Sequence, residues 1–340
     1  MAQNRITSAE VALRAGVSRS AVSRVFTVGA SASKQTVEKV RLAAEELGYR
    51  PNILARAMVS GHSRMIGLVV AYLDNQFYPE TLEKLSNALQ EKGYHVLVFM
   101  AGKDSQSIDG VIEEILDYQV DGIIAASVAL SSDLATRCRT AGVPMVLFNR
   151  DQDDPLMSSV TSDNIAGGRK VAELFLASGH KRIGYISGWE GASTQRDREA
   201  GFVARLSEAG RVLYARETGD FRMDTAREAA LKMFSTDPPD AVFVANDHMA
   251  ISVMDTLRHE LGIKVPEDVS VVGYDDVPAI AWPAYDLTTV RQRSNIMVAK
   301  TVEILLTEIE EDGVQPCKVE IDGPLILRGS AKIPNDWQSE

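Results

Sequence analysis

The stretch that most restricts this chain is Ala15-Gly16-Val17-Ser18-Arg19-Ser20-Ala21-Val22-Ser23-Arg24-Val25. A glycine followed two residues later by a serine, between two apolar-periodic segments, spells the end of one helix and the start of the next. Gly tolerates the left-handed backbone of a helix C-terminus, and Ser18 accepts a hydrogen bond from the first turn of the second helix. Upstream, Thr7 and Glu10 have the spacing of a capping box, and Val11, Ala12 and Ala15 form one apolar stripe. Downstream, Ala21, Val22 and Val25 face inward, leaving Arg19, Ser20, Ser23 and Arg24 outward. Ser33 caps a third helix whose stripe is Val37, Val40, Ala44 and Leu47, ended by Gly48.

Two short helices around a tight turn, the second opening on exposed Arg and Ser, describe a helix-turn-helix that lays its second helix in a DNA major groove. Arg19 can donate two hydrogen bonds to a guanine edge and Ser20 can bond either base type. Arg24 lies one turn further, within reach of a base or a phosphate. The bland alternative is a small helical domain with solvated arginines. Charge argues against it: residues 1–60 hold nine basic and four acidic side chains, whereas the whole chain is −11. A basic head on an acidic body fits a phosphate-binding module joined to something that stays off DNA.

Pro51 interrupts the chain. Asn52–Ser60 is helix-compatible but too short to be stable alone, with Leu54 and Met58 at i, i+4. It is either a plain linker or a segment that orders on DNA and wedges an apolar side chain between base steps.

From Met65 apolar runs alternate with helical stretches. Strands are expected at Met65–Ala71, Tyr94–Met100, Gly122–Ala126 and Pro144–Phe148, and helices at Phe77–Lys92, Ser107–Gln119 and Ser131–Ala141. The order restarts with strands at Arg182–Ser187, Ala241–Ala245 and Val269–Tyr274, and helices at Ile165–Ser178, Gln195–Ala209, Met223–Phe234 and Met249–Leu261. Leu287–Val290 reads as a strand, Asn295–Glu311 as a helix and Val319–Leu327 as one final strand; the tail from Lys332 reads as weakly ordered. Continuous apolar runs belong to parallel strands covered on both faces, so two doubly wound α/β units are expected.

Two such units form a cleft at the carboxyl ends of their strands. The polar residues expected there are Asp74, Asn75, Ser127, Asn149 and Arg150 from the first unit. The second supplies Ser193, Arg196, Arg198, Asn246, Asp247, Asp275 and Asp276, with Phe77, Tyr78 and Phe221 nearby. Carboxylates, amides, arginines and rings suit a polar or polyhydroxylated small molecule. Asp74, Asp163 and Ser193 read equally well as loop or capping residues, and His180 reads as an exposed turn residue. No phosphate-binding, nucleophile-elbow or zinc-protease motif occurs, so no catalytic residue, metal or cofactor is expected. Cys138 and Cys317 have no Cys at metal spacing and read as reduced thiols. No apolar run reaches membrane-spanning length and the first residues lack a secretion signal, which makes the cytoplasm the default. The rival reading is a solute-binding or sensor protein without operator-specific DNA binding.

These residues carry a resemblance. Ala15-Gly16-Val17-Ser18 with Val22-Ser23-Arg24-Val25, and Glu46-Leu47-Gly48-Tyr49-Arg50-Pro51-Asn52, resemble the LacI–GalR family of bacterial transcription regulators. The likeness continues through Val120-Asp121-Gly122-Ile123-Ile124, Gly179-His180-Lys181-Arg182-Ile183, Asn246-Asp247-His248-Met249-Ala250 and Val271-Val272-Gly273-Tyr274-Asp275-Asp276. It implies an N-terminal all-α helix-turn-helix headpiece (1–50), a hinge (51–61) and an α/β periplasmic-binding-protein-like (type I) core of two doubly wound parallel-sheet subdomains (62–340). The N-subdomain would hold about 62–162 and 293–322, and the C-subdomain about 163–292 and 323–335.

The resemblance further implies a homodimer on a pseudo-palindromic operator. Arg19, Ser20 and Arg24 match base-reading positions; Ser18, Ser33, Thr36 and Asn52 match phosphate-contacting ones, and Thr7 and Ala55 are grouped with them. Met58 stands where the family usually wedges a Leu. Arg198, Phe221, Asn246 and Asp275 match effector-contacting positions, and Phe77, Arg150 and Gln292 match more loosely. A repressor whose DNA affinity answers to a sugar-like metabolite is the function implied.

Overall fold

The computed structural model describes residues 6–26, 30–50, 62–101, 105–127, 132–311, 313–335 and 337. The chain divides into two compact units, residues 1–64 and 65–340.

Among its described residues the first unit has three helices: α1 (Ser8–Ala15), α2 (Arg19–Val25) and α3 (Lys34–Leu47). Each begins on the cap read from sequence. Thr7 Oγ1 accepts from the Glu10 amide at 3.4 Å while Glu10 Oε2 accepts from the Thr7 amide at 2.7 Å. Ser18 accepts from the Ala21 amide at 3.2 Å, and Ser33 from the Thr36 amide at 3.2 Å. Gly16 and Gly48 close α1 and α3 at φ 66° and 65°, where a Cβ would be strained. Val11, Ala12, Val22, Val40, Ala43 and Ala44 form the small core, with Phe26 against Tyr49 at its edge. The segment Asn52–Ser60, with Asn52, Ala55 and Met58, lies outside the described residues.

The second unit holds two six-stranded sheets. One contains β1 (Met65–Val70), β2 (His95–Met100), β3 (Gly122–Ala126), β4 (Met145–Phe148), β5 (Ser158–Ser162) and β11 (Lys318–Ile321), in the order β11-β5-β4-β3-β1-β2. Against it lie α4 (Phe77–Glu91), α5 (Ser105–Asp117), α6 (Ser132–Thr140) and α11 (Ser294–Glu310). The other contains β6 (Ile183–Ser187), β7 (Ala215–Thr218), β8 (Ala241–Val244), β9 (Ser270–Asp275), β10 (Thr288–Arg291) and β12 (Leu325–Ile326), in the order β12-β10-β9-β8-β6-β7. Its helices are α7 (Asn164–Ala177), α8 (Ser193–Glu208), α9 (Met223–Met233) and α10 (Asp247–Asp255). Every strand pair is parallel except β10–β12. Both sheets repeat one strand order, so both switch points open at the carboxyl ends of the strands.

Several elements depart from the sequence expectation. The final strand is two short ones in different sheets. Gly323 passes so close to the Arg291 carbonyl that a Cβ would collide with it, and Pro324 lacks the N–H a continued ladder needs. β5 and β7 were not legible: β5, Ser-Ser-Val-Thr-Ser, is fully buried yet mostly hydroxylic. β2 is an edge strand, so its apolar run is only half covered, with Val98 and Met100 about half exposed. The helix expected at Met249–Leu261 starts two residues earlier and ends in a π turn, Thr256–Glu260. His180 is buried, not an exposed turn residue: its ring meets Phe175 edge-on and its Nδ1 lies 3.4 Å from Asp240. The described part of the tail is tied down, the Lys332 amide donating to Ser270 Oγ at 2.9 Å and Trp337 packing on the core.

Candidate functional site: a polar cleft and an exposed basic helix

The carboxyl ends of β1, β3, β4, β6, β8, β9 and β10 bring together the side chains expected to line a cleft. Asp275 and Arg198 lie at its centre, 5% and 2% exposed. Arg198 projects from the first turns of α8 into the sheet ends. It donates from Nε to Asn164 Oδ1 at 2.9 Å and from a terminal nitrogen to the Ala245 carbonyl at 2.6 Å, and its second terminal nitrogen stands 3.6 Å from Asp275 Oδ1. The guanidinium stacks 3.7 Å over the Tyr274 ring. This depth is possible because α7 and α8 nearly touch: a Cβ at Gly168 would strike the Arg198 carbonyl, and one at Gly201 the Ile165 carbonyl. The Gly167-Gly168 pair is therefore a packing device, with Gly167 under the Tyr274 ring.

Asp275 accepts from Gln292 Nε2 at 2.7 Å and from Asn75 Nδ2 at 3.4 Å, the latter bond crossing between the two subdomains. Burial raises the Asp275 carboxyl above its ordinary range, and Arg198 pulls it back. Beneath it Asp247 is fully buried. Its Oδ2 accepts from the Asp276 and Val277 amides at 2.6 and 3.1 Å and its Oδ1 from Thr289 at 2.7 Å. Burial, then the charge of Asp275, pushes Asp247 up to about 7. The bonds to Asp247 hold Asp275 and Asp276 at φ 130° and 63°, and Ser127, Asn149 and Phe221 are likewise left-handed at 56°, 62° and 56°. Strained backbone gathered at strand ends marks a site whose shape is imposed by its surroundings.

The remaining expected residues surround this pair. Arg150 follows β4 and lies 5.3 Å from the Trp189 ring across the cleft. Phe221 covers Gly188, where a Cβ would collide with its ring. Phe77 is 4% exposed and stacks on Phe148, so it forms the cleft floor more than its wall. Asn246 Oδ1 caps α10 by accepting from the Met249 amide at 3.0 Å. Asp163 caps α7, as its capping reading expected, and Ser193 Oγ accepts from the Asp151 amide at 3.0 Å, a second inter-subdomain bond. Tyr72, Trp189, Asn164 and Tyr274 were not singled out from sequence as cleft residues. Tyr72 meets Tyr78 edge-on, and the Tyr78 hydroxyl bonds Ser127 and accepts from Asn149 Nδ2 at 3.2 Å. Only the position of Trp189, just past β6, hinted at its place.

Among the described residues, four buried polar atoms around the cleft have no protein partner: Asn149 Oδ1, Arg150 Nε, Asp151 Oδ1 and Gln292 Oε1. Buried polar atoms are normally bonded. Three acceptors and a cationic donor left open there have the chemistry to meet a polar molecule carrying both hydroxyl-type donors and an acceptor.

On the first unit, Arg19, Ser20, Ser23 and Arg24 are exposed along one side of α2, opposite buried Val22. Ser18 Oγ meets Ser20 Oγ at 2.9 Å, and Arg24 Nε reaches the Ser20 carbonyl at 3.4 Å. Ser33 and Thr36 pair their hydroxyls at 2.8 Å at the start of α3. Thr7, Ser18 and Ser33 thus act in their own helix caps, each with an exposed oxygen at a helix N-terminus, where phosphate is favoured.

A three-helix basic headpiece on a two-sheet ligand-binding core is the architecture of a ligand-responsive DNA-binding regulator. The comparisons agree. Residues 7–52 match the family of bacterial regulatory proteins of the lacI type, and residues 172–331 match the periplasmic binding protein-like domain. The chain is 28% identical to the HTH-type transcriptional repressor PurR of Photobacterium profundum, over 97% of this chain and 99% of that protein. It is 28% identical to the ribose operon repressor of Escherichia coli, over 96% and 99%. Among solved structures, a CelR–cellobiose complex shares 30% identity with a TM-score of 0.73, covering 96% of this chain and 100% of that one. A Lac repressor dimer bound to operator and the anti-inducer ONPF shares 27% identity with a TM-score of 0.87, covering 96% and 99%. The chain belongs to the lacI family of bacterial regulatory proteins.

Proposed function

We propose that this regulator is a homodimeric repressor whose hold on a pseudo-palindromic operator is set by a small polar metabolite in the cleft. The observation that carries the reading is the set of partnerless buried atoms, Asn149 Oδ1, Arg150 Nε, Asp151 Oδ1 and Gln292 Oε1, around the Arg198–Asp275 pair. A polyhydroxylated ligand satisfies them. Its hydroxyls donate to Asp275, Asn149, Asp151 and Gln292, its oxygens accept from Arg150 and from the Asn246 amide, and Phe221 covers its apolar face. Because Asn75–Asp275 and Asp151–Ser193 bridge the subdomains through this cleft, an occupant changes the energy of closing it. Two sites coupled through one such equilibrium affect each other reciprocally.

On the DNA side, Arg19, Ser20 and Arg24 read bases. Ser18, Ser33 and Thr36, with Thr7, Asn52 and Ala55, hold the backbone, and Met58 is the wedge. Val98 and Met100, exposed on edge strand β2, form part of the face that meets a second copy. Such a protein acts where the chromosome is, inside the cell; no helix among the described residues is long and apolar enough to cross a membrane. The reading that dispenses with DNA has no support from the basic face of α2.

The test is operator binding with DNA from the region beside the protein's own gene, with and without a panel of sugars, nucleosides and purines. The reading requires tight, sequence-selective, salt-sensitive binding that one class of metabolite shifts, and loss of that shift in Asp275→Asn. Equal weak affinity for every duplex overturns it.

A further inference from the structure

The first subdomain has a second opening at its other end. Strands β1 to β5 and β11 run parallel, so their amino ends gather on the face opposite the cleft. There, between the end of α6, the starts of β4 and β5 and the end of α11, lies a pocket of about 300 Å³, within the range of small-molecule sites. Met145 in its wall pairs with Ile123, which pairs with Gly67 of β1. The pocket thus stands two strand spacings, roughly 10 Å, from the strand by which the chain enters this unit.

Its floor is apolar: Met145 and Met157 are buried, flanked by Val143 and Val314. Its charged lining is Arg139, Glu308 and, at the exposed rim, Glu311. Glu308 is partly buried and accepts from Ser158 Oγ at 2.5 Å, but among the described residues no cation pairs with it, and burial raises its carboxyl. Arg139 donates to the Leu156 carbonyl and Thr136 Oγ1, both at 3.3 Å, and among the described residues no carboxylate pairs with it. A half-buried carboxylate, Glu308, and a guanidinium, Arg139, that line one pocket without meeting each other complement a molecule carrying both charges, with Glu311 adding negative charge on the ammonium side near the end of α11.

We propose that this pocket binds a free α-amino acid with an aliphatic or thioether side chain. The ammonium pairs with Glu308, the carboxylate takes the fork of Arg139, and the side chain lies on Met145 and Met157, which adapt to varied apolar shapes. The site is separate from the cleft and does not depend on the effector reading above.

The experiment is calorimetric titration of the full-length protein with L-leucine and L-methionine. Leucinamide, which lacks the carboxylate, and 4-methylpentanoate, which lacks the ammonium, are titrated alongside. Saturable binding of one of the two amino acids is expected, at least tenfold weaker for both truncated probes. Arg139→Gln, on the surface, and Glu308→Gln, which keeps an acceptor for Ser158, are each expected to weaken it at least tenfold, and Asp275→Asn to leave it unchanged. No saturable binding of either amino acid overturns the proposal. So does binding that survives both pocket substitutions, or that disappears with Asp275→Asn.

Discussion

Replacing Arg198 by Ala tests whether the cleft is organised around one buried charge pair. The substitution carries two costs. Asn164 Oδ1 and the Ala245 carbonyl lose a charged donor, and allowing for water entering the space this is about 2 kcal/mol in all. Asp275 keeps only Gln292 and Asn75, too little to hold a buried carboxylate. It escapes by taking a proton, and that escape caps the second cost. Protonating a carboxyl of ordinary pKa costs about 4 kcal/mol at pH 7 and about 1.5 kcal/mol at pH 5.

Linkage sets the sign. In the variant, the folded-state pKa of Asp275 rises far above its unfolded value, so its contribution is fully present below about pH 4 and falls away as pH rises. Because burial already raises the carboxyl in the native protein, the expected loss is at most about 6 kcal/mol at pH 7 and at most about 3.5 kcal/mol at pH 5. At roughly 2 °C per kcal/mol for a domain of this size, the drop in melting temperature is at most about 12 °C and about 7 °C respectively, and larger at pH 7. Each variant is compared with the native protein at the same pH; with Asp275 neutral, Asp247 loses the repulsion that helps raise it, which offsets part of the loss at pH 7 in both variants. The assay is thermal unfolding by circular dichroism at the two pH values, with Arg198→Ala/Asp275→Asn as control. The double variant keeps only the pH-independent loss, so at pH 7 it is more stable than Arg198→Ala alone. Equal losses at both pH values, or a double variant no more stable than the single one, would refute the reasoning.

Other parts of the molecule give further expected outcomes. Arg19→Ala weakens operator binding by about 1–3 kcal/mol, read by fluorescence anisotropy, with the headpiece melting temperature unchanged because the side chain is exposed. Asp247→Asn flattens stability against pH. The native carboxyl, raised to about 7, contributes stability below about pH 4 that is lost as pH rises through 7, and the amide does not titrate, so the difference in melting temperature between pH 5 and pH 8 shrinks. Gly188→Ala displaces Phe221 and lowers effector affinity at least tenfold by calorimetry, while operator binding without effector is kept. Met100→Asp puts charge on the exposed edge of β2 and shifts sedimentation from dimer toward monomer; an unchanged dimer removes this face from the interface.

Much of the fold was legible because its signals are local. Thr7-Glu10, Gly16, Ser18, Ser33 and Gly48 bond within three or four residues of themselves, so their roles hold wherever the chain goes. The apolar strands β1, β3, β4, β6, β8 and β9 were readable because strands covered on both faces admit few polar residues. β5 escaped notice because its hydroxyls find partners far along the chain: Ser158 meets Glu308 and the Cys317 amide, and Ser162 meets Tyr274. His180 misled for the same reason, its burial depending on Asp240 and Phe175.

The amino-acid sequence alone determined that this protein has a basic helical head with Arg19, Ser20 and Arg24 outward, and a twice-repeated α/β body whose polar residues fall at strand ends. Local hydrogen-bond chemistry and hydrophobic period are sufficient for that. Only the tertiary structure decided that Arg198 is held by Asn164, Tyr274 and Ala245, that Asp247 props the turn carrying Asp275, and that Asn149, Arg150 and Gln292 keep atoms open. Those facts depend on contacts between segments 30 to 200 residues apart, and on which donors the folded chain uses up first. No periodicity encodes that count; it emerges when the two sheets close on one another.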